Sequence, residues 1–205
     1  LGIGQYPKLN NISAKDIFCR NPIGNGSAPV IRKSLLNCLA RVKIVGRHTR
    51  NEYFDESMRQ SEDVEFWLRI ALTTRYRFEG IATPLTLYRV NMSGLSANLL
   101  KQYESWLYAV EQNKQINRRF ITEWFPLASA YQKRYLARRA VQARNSKTAC
   151  QLMFEALSQD SRILWEDPKR TVLTLVCALL CALPDKLYGQ LESFGMRVHQ
   201  SAAQH

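Results

Sequence analysis

Two adjacent carboxylates, Glu62 and Asp63, open an amphipathic stretch beginning at Ser61. A carboxylate fixed at the start of a helix can take a proton from a substrate hydroxyl. Acids in a first helical turn also serve the backbone dipole without any chemistry, so the pair carries both readings. Asp63-Val-Glu65 has the acid-x-acid spacing of a metal chelate. On a helix, however, residues two apart point about 200° apart, which argues against a shared ion. A second candidate is the loop Asn21-Pro-Ile-Gly-Asn-Gly-Ser27. Its glycines let backbone approach a ligand, although the same residues make a plain turn. It matches neither phosphate-cradling glycine pattern.

A third candidate is the basic stretch Lys133, Arg134, Arg138, Arg139, Arg144 and Lys147, with no acid between Glu123 and Glu155. It suits either phosphate binding or a solvated helix face. The fourth is the apolar run Val172–Leu183, interrupted by Thr174 and flanked by Lys169, Arg170 and Lys186. It is too short to span a bilayer and suits either an anionic membrane surface or a buried helix. The histidines, His48, His199 and His205, are scattered, and neither a zinc-protease motif nor a nucleophile elbow occurs.

The elements that position these residues divide the chain in two. Residues 1 to about 60 are punctuated by Pro7, Pro22, Gly24, Gly26 and Pro29. Ala28–Ile31 and Val42–Val45 read as strands or strand ends, and Leu35–Ala40 as a short helix. Ser61–Thr74 reads as a helix capped by Ser61, with Val64, Trp67, Leu68, Ala71 and Leu72 as its buried stripe. Tyr76–Ile81 and Leu85–Arg89 read as strands around Pro84, and Val90–Ser96 as a loop. Glycine is then absent between Gly94 and Gly189. Asn98–Arg119, Trp124–Ala143, Lys147–Ser158 and Thr171–Leu183 are compatible with helices punctuated by Pro126, Pro168 and Pro184. The expected organisation is α/β over residues 1–98 and all-α over 99–205.

The 205 residues are 46% hydrophobic, which excludes wholesale disorder. Lys and Arg total 29 against 17 Asp and Glu, a net charge of +12 that favours an anionic partner. Cys19, Cys38, Cys150, Cys177 and Cys181 are odd in number and lack CxxC spacing, so a reducing cytosol fits better than a disulfide scaffold. The chain starts at Leu1 without a signal-peptide pattern, and the expectation is that it begins partway through a longer protein.

One order of features is more specific than its parts. The Asn21–Ser27 loop leads into Pro29-Val-Ile-Arg-Lys33. Then come Tyr53-Phe-Asp-Glu56, Ser61-Glu-Asp-Val-Glu-Phe-Trp-Leu-Arg69 and Pro84-Leu-Thr-Leu-Tyr-Arg89. Over residues 15–98 this resembles the second half of a bacterial family-2 glycosyltransferase of the GT-A fold, a nucleotide-diphospho-sugar transferase domain. The resemblance implies Asp63 as catalytic base with Glu62 beside it. It implies Asn25, Gly26, Ser27 and Trp67 at the acceptor, and Arg89 and Ser93, within the Asn91–Ser96 loop, near the donor diphosphate. It further implies a nucleotide-sugar donor, a glycan or lipid-linked acceptor, inverting transfer, and a divalent Mg or Mn ion. The family's Asp-x-Asp metal motif is absent from this chain, so the resemblance places the metal ligands and the donor-binding half upstream. The expected location is cytoplasmic, peripheral at the inner membrane face, with no nucleic-acid partner. The competing expectation is a non-enzymatic basic helical adaptor that binds nucleic acid or protein through residues 124–158.

Overall fold

The computed structural model describes residues 7–83, 85–86 and 99–183. In chain order the elements are α1 (Ala14–Arg20), α2 (Lys33–Leu39), β1 (Arg41–Val45), β2 (His48–Glu52) and α3 (Glu62–Thr73). They are followed by α4 (Leu99–Ile116), α5 (Arg118–Gln142), α6 (Ser146–Gln159), α7 (Ile163–Glu166) and α8 (Pro168–Leu180). The chain forms two compact units, Leu1–Ser129 and Ala130–His205. The single helix α5 contributes residues to both.

The α/β, GT-A-like expectation for residues 1–98 is overturned. Among the described residues there are eight helices and one antiparallel sheet of two strands. Ala28–Ile31 forms no strand, and Val30 is fully exposed. Tyr76–Ile81 contributes one antiparallel bridge, Ile12 with Phe78, beside which the Gly80 N–H donates to Leu9 O at 2.7 Å. A strand exists only where a partner strand satisfies its backbone, and these runs find a single pairing point. Leu85 and Thr86 are irregular; the rest of Leu85–Arg89 lies outside the described residues, as do Pro84, the Asn91–Ser96 loop and Pro184.

In the first unit, α1 begins with a capping box. Ser13 Oγ accepts from the Asp16 N–H, and Asp16 Oδ2 accepts from the Ser13 N–H at 2.8 Å. Lys8 Nζ also donates to that carboxylate at 2.8 Å. The helix buries Ile17 and Phe18 and ends at Asn21 in the left-handed region, φ 39°. Strands β1 and β2 join through Gly46 at φ 62° and pair Arg41 with Glu52 through Val45 with His48. This ribbon leaves Val42 and Ile44 exposed. Lys43 bonds Glu52 and Glu56 across it, each at 2.9 Å, and Arg50 also pairs with Glu56.

Helix α3 is the centre of the first unit. Glu65, Phe66, Trp67, Leu68, Arg69 and Ile70 are buried in succession, so the helix is enclosed on all sides. The expected one-sided stripe is therefore incomplete: Val64, Ala71 and Leu72 are only half-buried. Ser61 does not cap α3 through its side chain. It stands at φ 61° with no side-chain bond to the first turn. Phe54 packs on Phe66 and edge-on to Trp67, at 4.4 and 5.9 Å between ring centres. Phe18 stacks on Trp106 of α4 at 5.9 Å, and Trp106 on Phe125 at 6.0 Å. Trp106, Ala109, Val110 and Asn113 form the buried stripe of α4. The α4–α5 break falls at Asn117, whose Oδ1 accepts from the Phe120 N–H at 3.1 Å. Pro126 lies inside α5 rather than at a boundary.

In the second unit, alanines let helices approach closely. Ala137, Ala140, Ala149, Ala156 and Ala178 are fully buried, together with Leu136, Met153 and Ile163. Asn145 caps α6, its Oδ1 accepting from the Thr148 N–H at 3.1 Å. A buried polar node holds α5 to the start of α8. Arg134 Nη2 donates to Asp167 at 2.9 Å, and Arg134 Nη1 donates to Thr171 Oγ1 at 2.7 Å.

Candidate functional site

Asp63 lies in the first turn of α3 and is half-buried. Its Oδ1 accepts the Val64 N–H at 2.7 Å, which supplies the acceptor that Ser61 does not. Burial pushes its carboxyl up from the ordinary 3.8 to about 6, and the charge of neighbouring Glu62 pushes the same way. The Val64 N–H opposes both by favouring the ionised form. Glu62 is half-buried beside it.

The helix that carries Asp63 is clamped by its own buried ion pair. Glu65 accepts from Arg69 Nε at 2.9 Å, and both side chains are almost wholly enclosed. Arg69 also donates to Tyr53 O at 2.5 Å and to Leu39 O at 3.4 Å, and Arg41 approaches Glu65 at 3.7 Å. The Glu65/Arg69 spacing, i and i+4, is legible in the sequence. Asn113 of α4 adds a further tie that no motif announces, donating to Glu65 O at 3.2 Å.

The loop and the acid come to the same side of α3. Asp63 and Trp67 are four residues apart and therefore neighbours on one helix face. The Trp67 indole N–H donates to Gly24 O at 3.1 Å, which fastens the Asn21–Ser27 loop over that face. Within the loop, Asn21 Oδ1 accepts from the Gly24 N–H at 3.3 Å, and Gly24 takes φ 82°, which glycine adopts without strain. Asn25 Oδ1 accepts from the Ser27 N–H and Oγ, each at 3.2 Å, an Asx turn. Asn25 is half-buried, while Gly26 and Ser27 are exposed. A methyl group on Gly26 would meet nothing within 4 Å, so packing does not demand glycine there.

Trp67 itself is fully enclosed. It positions the loop and presents no ring face to a ligand. Arg89 and Ser93 lie outside the described residues. The described residues do not fit a divalent cation: no group of three His, Cys, Asp or Glu side chains converges. Glu65, the second acid of the acid-x-acid pair, is committed to Arg69.

The basic stretch is not one continuous solvated face. Arg134 is buried against Asp167, Lys133 pairs with Glu155 at 3.1 Å, and Arg144 donates to Leu183 O at 3.1 Å. Arg138 lies over the Tyr135 ring at 5.5 Å and Arg139 donates to Gln142 at 3.1 Å. No helix among the described residues is long and apolar enough to cross a membrane. Compared with protein-family models, curated proteins and solved structures, the chain finds no match.

Proposed function

We propose that this chain supplies the acceptor-activating part of a glycosyltransferase, with Asp63 as general base. The observation that carries the reading is a half-buried carboxylate in the first turn of α3, one helical turn from the Trp67 indole that fastens the Asn21–Ser27 loop; burial pushes that carboxyl up to about 6. A base with a pKa near the working pH is mostly ionised yet still a strong enough acceptor. The nucleotide-sugar donor and the glycan or lipid-linked acceptor are what the resemblance of the Phe54-Asp-Glu56 and Glu62–Arg69 segments to family-2 glycosyltransferases implies.

In this reading the acceptor hydroxyl proton passes to Asp63. The oxygen forms a bond to the anomeric carbon from the face opposite the leaving group. The bond from that carbon to the nucleoside diphosphate breaks, and the diphosphate departs with the electron pair. Glu62 keeps the Asp63 carboxyl basic through its own charge. Asn25 and Ser27 orient the acceptor at the loop, and Trp67 fixes the loop's position. No step is assigned to a metal, because the described residues do not form a site for one. Work in the cytoplasm belongs to this reading. Against the adaptor alternative, Lys133 and Arg134 are paired with Glu155 and Asp167.

The test is transfer from labelled nucleotide-sugars, wild type against variants. Asp63→Asn is expected to lower turnover by about 10²–10⁴-fold with donor affinity nearly unchanged, and Glu62→Gln by much less. Retention of more than about a tenth of wild-type turnover by Asp63→Asn would refute the base assignment.

A further inference from the structure

Helix α8 is turned inside out. It buries Thr171, Thr174 and Ala178, and directs Val172, Leu173, Val176 and Leu179 to solvent, at 50, 62, 42 and 59% exposure. A helix on an aqueous surface normally does the reverse. Thr171 is tied to other elements: its Oγ1 accepts from Arg134 Nη1 at 2.7 Å and lies 2.9 Å from Ile163 O, whereas Thr174 Oγ1 bonds back to Arg170 O of its own helix at 2.7 Å. The orientation is thus locked by hydrogen bonds and the Arg134 node, and the outward aliphatic face is a settled feature of the second unit. No charged residue occurs from Thr171 to Leu183. Lys169 and Arg170 stand exposed at the start of the helix, Arg170 with Asp167 at 3.9 Å, and Trp165, just before it, is 82% exposed. Pro168, Lys169, Val172, Leu173 and Val176 line one shallow apolar depression.

We propose that α8 docks flat on an anionic lipid bilayer. Val172, Leu173, Val176 and Leu179 enter the acyl boundary, Trp165 sits at headgroup level, and Lys169 and Arg170 meet the lipid phosphates. At 13 residues the helix is about 20 Å long, too short to span and long enough to lie in the interface. Charge selects this occupant over a second copy of the chain. Two molecules of net charge +12 repel as they approach, whereas each basic residue near an anionic surface adds roughly fivefold to affinity. The inference stands independently of the glycosyl-transfer reading.

The experiment is co-sedimentation of the full chain with phosphatidylcholine vesicles, with and without phosphatidylserine. Wild type is expected to pellet with the phosphatidylserine vesicles, less with phosphatidylcholine alone, and less again in high salt. Leu173→Asp and Val176→Asp change exposed positions, so each should keep the wild-type circular dichroism and melting temperature. Each is expected to bind about tenfold to a hundredfold more weakly, the loss that follows from no longer burying one aliphatic side chain. Trp165 emission should be quenched by brominated lipid in wild type and spared in Val176→Asp. Equal pelleting of wild type and both variants overturns the proposal. So does an absence of wild-type pelleting, and if Val176→Asp then converts a dimer to monomer, the face belongs to a second copy.

Discussion

Replacing Asp63 by Asn is expected to stabilise the protein at neutral pH, although the position is proposed to be essential for turnover. The carboxyl titrates near 6 in the fold and near 3.8 when free, so the folded state disfavours its charge. Two pKa units correspond to about 3 kcal/mol, and water at the half-buried carboxylate screens part of this, which leaves about 1–2 kcal/mol. The sign follows from proton binding. Between those two values the folded state holds a proton that the unfolded state has released, so stability falls as pH rises through the window. The penalty is absent below the lower value and complete above the upper one. An asparagine side chain carries no charge at any pH, and its Oδ1 can still accept the Val64 N–H. Urea denaturation of both proteins at about pH 4 and about pH 7.5 should give a small difference at the acid end. At the neutral end it should favour Asp63→Asn by about 1–2 kcal/mol. A difference independent of pH, or a variant less stable than wild type at neutral pH, would refute the burial argument.

Three further outcomes test the frame around the acid. Arg69→Met removes the closest partner of buried Glu65, leaving Arg41 at 3.7 Å, and should cost up to about 3–5 kcal/mol, with much of it recovered in the double variant Glu65→Gln/Arg69→Met; thermal melts of the three proteins measure it. Gly80→Ala should destabilise by about 1–3 kcal/mol, because the new methyl would stand 2.5 Å from Leu9 Cδ2 and 3.1 Å from Leu9 Cα; urea titration reads it directly. Trp67→Phe keeps a ring but loses the bond to Gly24 O, at about 0.5–1.5 kcal/mol, and should speed amide exchange within residues 21–27 more than in α4.

Local signals in the sequence carried α3 and its neighbours well. The acid-rich start and apolar repeat predict Ser61–Thr74, and the helix is Glu62–Thr73. Val42–Val45 forms most of β1, and Leu35–Ala40 overlaps α2. The i, i+4 spacing of Glu65 and Arg69 permits the ion pair that the structure shows. What local pattern does not contain is the partner. Val30 and the Tyr76–Ile81 run have strand-like composition, but strand formation depends on a second strand at the right register. Helices α1 and α4 pack against α3, α4 through Asn113, where the expectation had further strands of a sheet. The site was legible as an acid pair and a loop. That Trp67 fastens the loop to α3 was not, because an indole at helical phase reads equally as core. The orientation of α8 was hidden for a related reason: the Arg134–Asp167–Thr171 node that turns its threonines inward joins residues more than thirty apart.

The central claim is that Asp63 is a base poised near neutrality, and its carboxyl can be titrated directly. Carbon-13 NMR of the aspartate side-chain carboxyls, with Asp63→Asn to assign the signal, should show a transition near 6, moving down in Glu62→Gln as the neighbouring charge is lost. A carboxyl that titrates near the ordinary 3.8 and does not respond to Glu62→Gln would contradict the account.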